Sequence, residues 1–191
     1  MPIDVAAVQK ALKNGGLDGW LLYDFHGSNP VANSVTEMAR VGKLATRRWF
    51  YLIPASGEPR ALVHAIEKHN LDHLPGSKTV YAGREQLEAG LKEIVRGARR
   101  VAMEYSPKNA IPYVSRVDAG TIELVRALGV DVISSGDLIQ QFEACWDDAA
   151  IATHRRASDK LYRIKDQAFE AVTRRLRDGV ATTEYDIQQL M

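Results

Sequence analysis

The stretch RVAMEYSPKNAIPYVSRVDAGTIELVRALGVDVISSGDLIQQF, residues 100–142, decides the fold class. Arg100–Glu104 is a short apolar run of strand character. Asp118 then precedes Ile122, Val125 and Leu128, three residues apart on one helical face, and Gly129 stops that helix. Val130–Ile133 is a second strand, and Ser135 opens a helix carrying Leu138, Ile139 and Phe142. Strands alternating with helices of about eleven residues predict an α/β layer architecture.

Working backward, Leu87, Leu91 and Ile94 make Arg84–Arg96 an amphipathic helix despite Gly90. Thr79–Tyr81 is a short strand. RWFYLI (48–53) and EPRALVH (58–64) flank Pro54–Gly57, which predicts a hairpin and so a mixed sheet. Trp20–Tyr23 reads as a buried strand ending at Asp24. Asp4 caps a first helix carrying Val5, Val8 and Leu12, stopped at Gly15-Gly16. The count is about six strands. Residues 65–78 are ambiguous and end in the turn Pro75-Gly76. Residues 25–46 have no periodicity, with Gly27, Asn29-Pro30 and Gly42 as breakers, and read as a long loop.

Forward of the opening stretch, Asp147 or Asp148 caps a helix whose stripe runs through Ile151, Ala157, Leu161, Ile164, Ala168, Val172 and Leu176. Ala149–Arg177 would span roughly 40 Å, more than one small domain needs. Arg174, Arg175 and Arg177 suit its C-terminal end and Gly179 stops it. Thr182–Asp186 has the caps and acids of another helix start, cut at Met191 with nothing to pack on. The expected organisation is a domain over 1–146, a connecting helix over 147–179 and the start of a further domain over 180–191.

The chain has 191 residues, 46% hydrophobic and 26% charged, which suits a soluble globular protein. A net charge of +1 argues against a nucleic-acid binder. No apolar run approaches the roughly 18 residues that span a bilayer, and no signal peptide opens the chain. One cysteine, Cys145, fits a reducing, cytoplasmic setting. There is no GxGxxG, no GxxxxGK[ST] and no GxSxG, so dinucleotide, P-loop and α/β-hydrolase chemistry lack support. Cys145, with no histidine near it in sequence, reads as a buried structural thiol. His69 and His73, four apart and near His64, Glu67 and Asp72, have metal-ligand spacing, yet Asn70 and Pro75 interrupt the segment and HExxH is missing; a solvated connector is the simpler reading. The basic residues of the long helix alternate with acids, as on a solvated face. The loop 24–46, with His26, Asn29, Arg40 and Lys43, follows a strand end, where α/β proteins place sites. Arg47 and Arg48 beside it could hold a carboxylate bidentately; an ordinary charged surface loop is the competing reading.

Gly16–Asp24, Thr46–Pro54 with Gly57-Glu58-Pro59, Val101–Pro107 and the tail through Asp178-Gly179 and Thr183-Glu184 resemble, as an ordered series, the creatinase/prolidase N-terminal domain of the pita-bread-fold Xaa-Pro peptidases. The resemblance implies a mixed six-stranded sheet flanked by helices, ribonuclease-H-like, followed by a long connecting helix. It implies no catalytic residue, metal ligand or cofactor in this chain. In the parent protein a following catalytic domain would hold two divalent ions (Mn, Co or Zn), activating water for amide hydrolysis. The implied partners are that missing catalytic domain and a second copy of the parent. By position His26, Asn29, Arg47 and Arg48 would contact the substrate entrance or a neighbouring subunit. A creatinase-type amidinohydrolase parent, or a stand-alone binding and assembly module, are the alternatives.

Overall fold

The computed structural model describes residues 3–38, 41 and 45–191. It divides into two compact units, Met1–Ala144 and Cys145–Met191. Arg40 and Lys43 of the candidate loop lie outside the described residues.

The first unit contains the predicted mixed sheet of six strands. These are β1 (Gly19–Asp24), β2 (Trp49–Pro54), β3 (Arg60–His64), β4 (Ser77–Tyr81), β5 (Arg100–Met103) and β6 (Asp131–Ser134), in the order β4-β3-β2-β1-β5-β6. The β1–β2 and β2–β3 pairs are antiparallel; the β3–β4, β1–β5 and β5–β6 pairs are parallel. Five strands therefore point their carboxyl ends to one edge, where β2 begins.

Helices cover both faces, which is why β1 and β2 are buried along their whole length. Alternation sorts their side chains. Trp20, Leu22, Trp49, Tyr51 and Ile53 pack with Val8 and Leu12 of α1 (Val5–Asn14), Ala32 and Val35 of α2 (Pro30–Val35) and Leu138 of α5 (Gly136–Phe142). Leu21, Tyr23, Phe50 and Leu52 pack with Leu87, Leu91 and Ile94 of α3 (Arg84–Ile94) and Ile122 and Val125 of α4 (Ala119–Ala127).

One segment departs from the sequence reading and another, left ambiguous there, is resolved. Residues 25–46 are not wholly loop, since α2 lies within them. Asn29 caps it through Ala32 N–H at 3.1 Å and Pro30 stands in its first turn. Asn29-Pro30, expected as a breaker, is a helix start. Six residues are too few for a 3.6-residue period to show. Residues 65–78 hold a single 3₁₀ turn (Ala65–Glu67) and the beginning of β4.

The second unit is α6 (Asp148–Arg177) and α7 (Glu184–Leu190). Asp147 caps α6 through Ala150 N–H at 2.7 Å, and Gly179 turns the chain at φ +65°. The side chain of Thr183 and that of Asp186 bond reciprocally to each other's backbone N–H, a capping box for α7. The N–H and then the hydroxyl of Thr183 hold the Asp186 carboxyl below its usual range. Contrary to the sequence expectation, α7 does have a surface to pack on: Ile187 and Met191 line an apolar groove with Val172 and Leu176 of α6. No described helix is long and apolar enough to cross a membrane.

Candidate functional site

Beneath the carboxyl edge of the sheet lies a buried polar knot. The Asp24 carboxylate accepts the N–H of Gly27 (3.0 Å) and of Asn29 (2.8 Å), closing the turn after β1. That turn contains His26 at φ +61° and Gly27 at +74°, both left-handed. The Asn29 amide donates to the Tyr23 carbonyl and to Glu104 Oε2 (2.7 Å), while Glu104 Oε1 accepts Trp20 Nε1 (2.7 Å) and Ser135 Oγ (3.0 Å). Asp24, Asn29, Glu104 and Ser135 are all fully buried. Burial pushes the Glu104 carboxyl up, against the lowering effect of its three donors. The knot ties β1, β5, the α2 cap and the start of α5 into one frame.

That frame orients a cleft of about 540 Å³ at the same edge. It opens where the sheet, having run from β1 out to β4, returns to place β5 on the other side of β1. Tyr23 and Phe25 from the end of β1, and Arg47 and Arg48 from the approach to β2, form one side. His64 and Tyr81, paired across β3 and β4, and Gly83-Arg84 at the start of α3 form another. Asp118 and Thr121 at the start of α4 complete the lining.

The lining is held internally. Asp118 accepts from Thr121 N–H (2.9 Å), Thr121 Oγ1 (2.8 Å) and Tyr23 Oη (3.1 Å). Partial burial would raise the Asp118 carboxyl, but these donors outweigh it and hold it below its usual range. The Tyr81 hydroxyl donates to the Arg48 carbonyl at 2.7 Å. His64 Nδ1 accepts from Ile66 N–H (3.1 Å) and Nε2 faces the Ala82 carbonyl (3.1 Å), so the neutral ring donates from Nε2. Outside the cleft, Glu67 accepts from Thr46 Oγ1 (2.5 Å), Thr46 N–H (2.8 Å) and Arg47 N–H (3.2 Å), fixing the backbone that presents the two arginines.

Of the sequence-derived site residues, Arg47 and Arg48 do meet in the cleft. His26 lies beside it, its ring edge-on to Phe25 with centroids 5.6 Å apart. Asn29 stands apart: it is buried, and its side chain is spent on Tyr23, Ala32 and Glu104. It is a positioning residue without surface contact. The histidines of the 64–73 segment do not converge. His64 lines the cleft, His69 Nδ1 pairs with Asp72 (3.0 Å), and His73 Nε2 meets the Thr36 carbonyl (2.6 Å). Among the described residues no group of three or more His, Cys, Asp or Glu could hold a metal ion. Sequence reasoning missed Tyr81, Arg84 and Asp118 as cleft residues. The available signal was positional, since each stands at a strand end or helix start on the carboxyl edge.

Burial raises the tyrosine hydroxyls here: Tyr23 to about 12, Tyr81 in the same direction, and Tyr51 strongly, its hydroxyl donating to the Pro75 carbonyl at 2.8 Å. Unfolded tyrosine ionises near 10, so these groups stabilise the fold below that pH and the contribution fades as pH rises through the folded values. In an absorbance titration at 295 nm, part of the tyrosinate signal should therefore wait for alkaline unfolding. Tyr51→Phe should reduce that delayed fraction. A titration completed before the fold is lost would contradict the burial.

At the level of sequence no family model matches this chain, and no curated protein does. Fold comparison gives a clear answer. The dipeptidase PepE from Mycobacterium ulcerans aligns with a TM-score of 0.56 at 16% identity, over 86% of this chain and 42% of that one. The prolidase from Pyrococcus horikoshii aligns with 0.53 at 14%, over 97% of this chain and 46% of its own. The creatinase/prolidase N-terminal domain of an X-Pro dipeptidase from Streptococcus pyogenes gives 0.54 at 12%, over 72% of this chain and 96% of that domain. The chain thus spans less than half the length of the first two and nearly all of the third. With its mixed six-stranded sheet and following long helix, the chain has the fold of the creatinase/prolidase N-terminal domain.

Proposed function

We propose that this chain is the non-catalytic N-terminal domain of a metal-dependent Xaa-Pro dipeptidase or aminopeptidase. The observation that carries the reading is the near-complete coverage of an isolated N-terminal domain of an X-Pro dipeptidase, 96% of it over 72% of this chain. In this reading the two divalent ions (Mn, Co or Zn) and the groups that activate water belong to a catalytic domain after α6. The present domain shapes the active-site entrance and contributes to a homodimer, in the cytoplasm. His26 on its left-handed turn, with Arg47 and Arg48, is the surface offered to the entrance or to the other subunit. Exposed Leu161, Tyr162, Phe169 and Leu176 on α6 supply apolar area for the partner domain.

The test is an assay of the full-length protein on a Xaa-Pro dipeptide and on creatine, each with and without chelator. Xaa-Pro hydrolysis abolished by chelator is expected. Chelator-insensitive creatine hydrolysis would instead assign the parent to amidinohydrolase chemistry.

A further inference from the structure

We infer that the cleft between the starts of α3 and α4 is a binding site for a small carboxylate carried on an apolar or aromatic body. The site belongs to this chain's own fold and stands or falls separately from the peptidase reading.

Charge is the first argument. Arg47, Arg48 and Arg84 line the cleft against a single carboxylate, Asp118, which already accepts the N–H and hydroxyl of Thr121 and the hydroxyl of Tyr23. Arg84 spends its Nε on Glu88 (2.8 Å), and Arg47 spends one terminal nitrogen on Thr46 at 3.3 Å. Both keep further donors. Arg48 is half-buried, and its side chain hydrogen-bonds the Tyr81 hydroxyl. It stands near enough to Tyr23 and Tyr81 to lower both hydroxyls against the larger effect of burial. A guanidinium has five N–H donors, so one bond to a tyrosine leaves a pair able to meet a carboxylate bidentately.

Shape is the second. The aromatic walls are fixed, because Tyr81 donates to the Arg48 carbonyl, Tyr23 donates to Asp118, and the Tyr81 ring meets His64 edge-on at 5.0 Å. Phe25 remains 45% exposed beside them, an apolar ring with room for a ligand body. The start of α3 adds a favourable field: Gly83 caps it without a side-chain hydrogen bond, and a Cβ placed there meets open space.

The test titrates the 191-residue chain with phenylacetate, inorganic phosphate and 2-phenylethanol, following the Gly83 and Arg84 amides and the Arg48 Nε–H by ¹⁵N–¹H NMR. Phenylacetate should give a saturable shift confined to the cleft, weakening with added salt. Arg48→Gln should weaken it by about tenfold or more, with Arg48→Lys intermediate. Gly83→Asp replaces one accepted helix cap by another, so the fold should hold. Its resident carboxylate should displace the ligand, again by about tenfold. Equal binding of the neutral alcohol, tighter binding of phosphate, or unchanged affinity in folded Arg48→Gln and Gly83→Asp variants would each overturn the assignment.

Discussion

Glu104→Ala is expected to destabilise the fold by about 4 kcal/mol, a large part of the 5–15 kcal/mol a domain of this kind has to lose. Two costs combine. The substitution leaves a cavity in a fully buried position, and it orphans the donors of Trp20, Asn29 and Ser135. Ser135 can turn its hydroxyl elsewhere; the indole and amide N–H groups cannot, and each buried unpaired donor costs about 1–3 kcal/mol. Glu104→Gln should cost less, about 1–2 kcal/mol, because its oxygen can serve Trp20 and Ser135 while its NH₂ opposes that of Asn29. The two variants also separate in pH. The Glu104 carboxyl is raised above its ordinary 4.5, so it stabilises the fold below that value and the contribution is lost as pH rises through the folded value. Denaturant melts should therefore show the penalty of Glu104→Gln largest at low pH and shrinking as pH rises. A penalty that grows with pH would mean the carboxylate is favoured in its ionised form. Asp118 and Glu67, held low, run in the opposite direction, which is why the comparison is made between variants.

Gly76→Ala should cost about 3 kcal/mol through backbone geometry alone. Gly76 sits at φ +105°, and a Cβ there would lie 2.1 Å from the Pro59 carbonyl oxygen and 2.7 Å from its carbon. Neither neighbour is the end of a flexible side chain. The same carbonyl accepts Ser77 N–H at 3.0 Å, the bond that starts β4 along β3. The substitution therefore pushes away the strand at its point of attachment. β4 is an edge strand whose first four residues are exposed, so little else retains it. Gly57→Ala is the control: φ is +90° but a Cβ meets nothing within 4 Å, so only conformational strain of about 1 kcal/mol applies. Equal losses for the two would refute the contact argument. Hydrogen exchange should also show β4 amides opening first in Gly76→Ala, with Tyr81 drawn out of the cleft.

The contrast between what was and was not legible in the sequence follows from scale. Strands such as Trp20–Tyr23 and RWFYLI announced themselves by apolar runs, and α3, α4 and α6 by stripes of Leu, Ile and Val over about two turns or more. The Pro54–Gly57 turn between two such runs was enough to make the sheet mixed. α2 was invisible to periodicity but readable from Asn29-Pro30 as cap and first turn. Arg47 and Arg48 were legible as a pair because they adjoin in sequence, and both line the cleft. Their companions Arg84 and Asp118 were not, for the sheet brings them there by stacking strand ends that are far apart along the chain. Nor could the sequence reveal that Asn29 would be buried, since that depends on Glu104, seventy-five residues away, arriving at its amide.

In the proposed function the groups that cleave the substrate lie outside this chain. The most direct measurement incubates the purified 191-residue chain with a Xaa-Pro dipeptide and added Mn²⁺, Co²⁺ or Zn²⁺, and follows release of free proline. The account predicts no release above the metal-and-buffer blank with any of the three ions. Turnover by the pure chain, abolished on substituting His69 and His73, would contradict it.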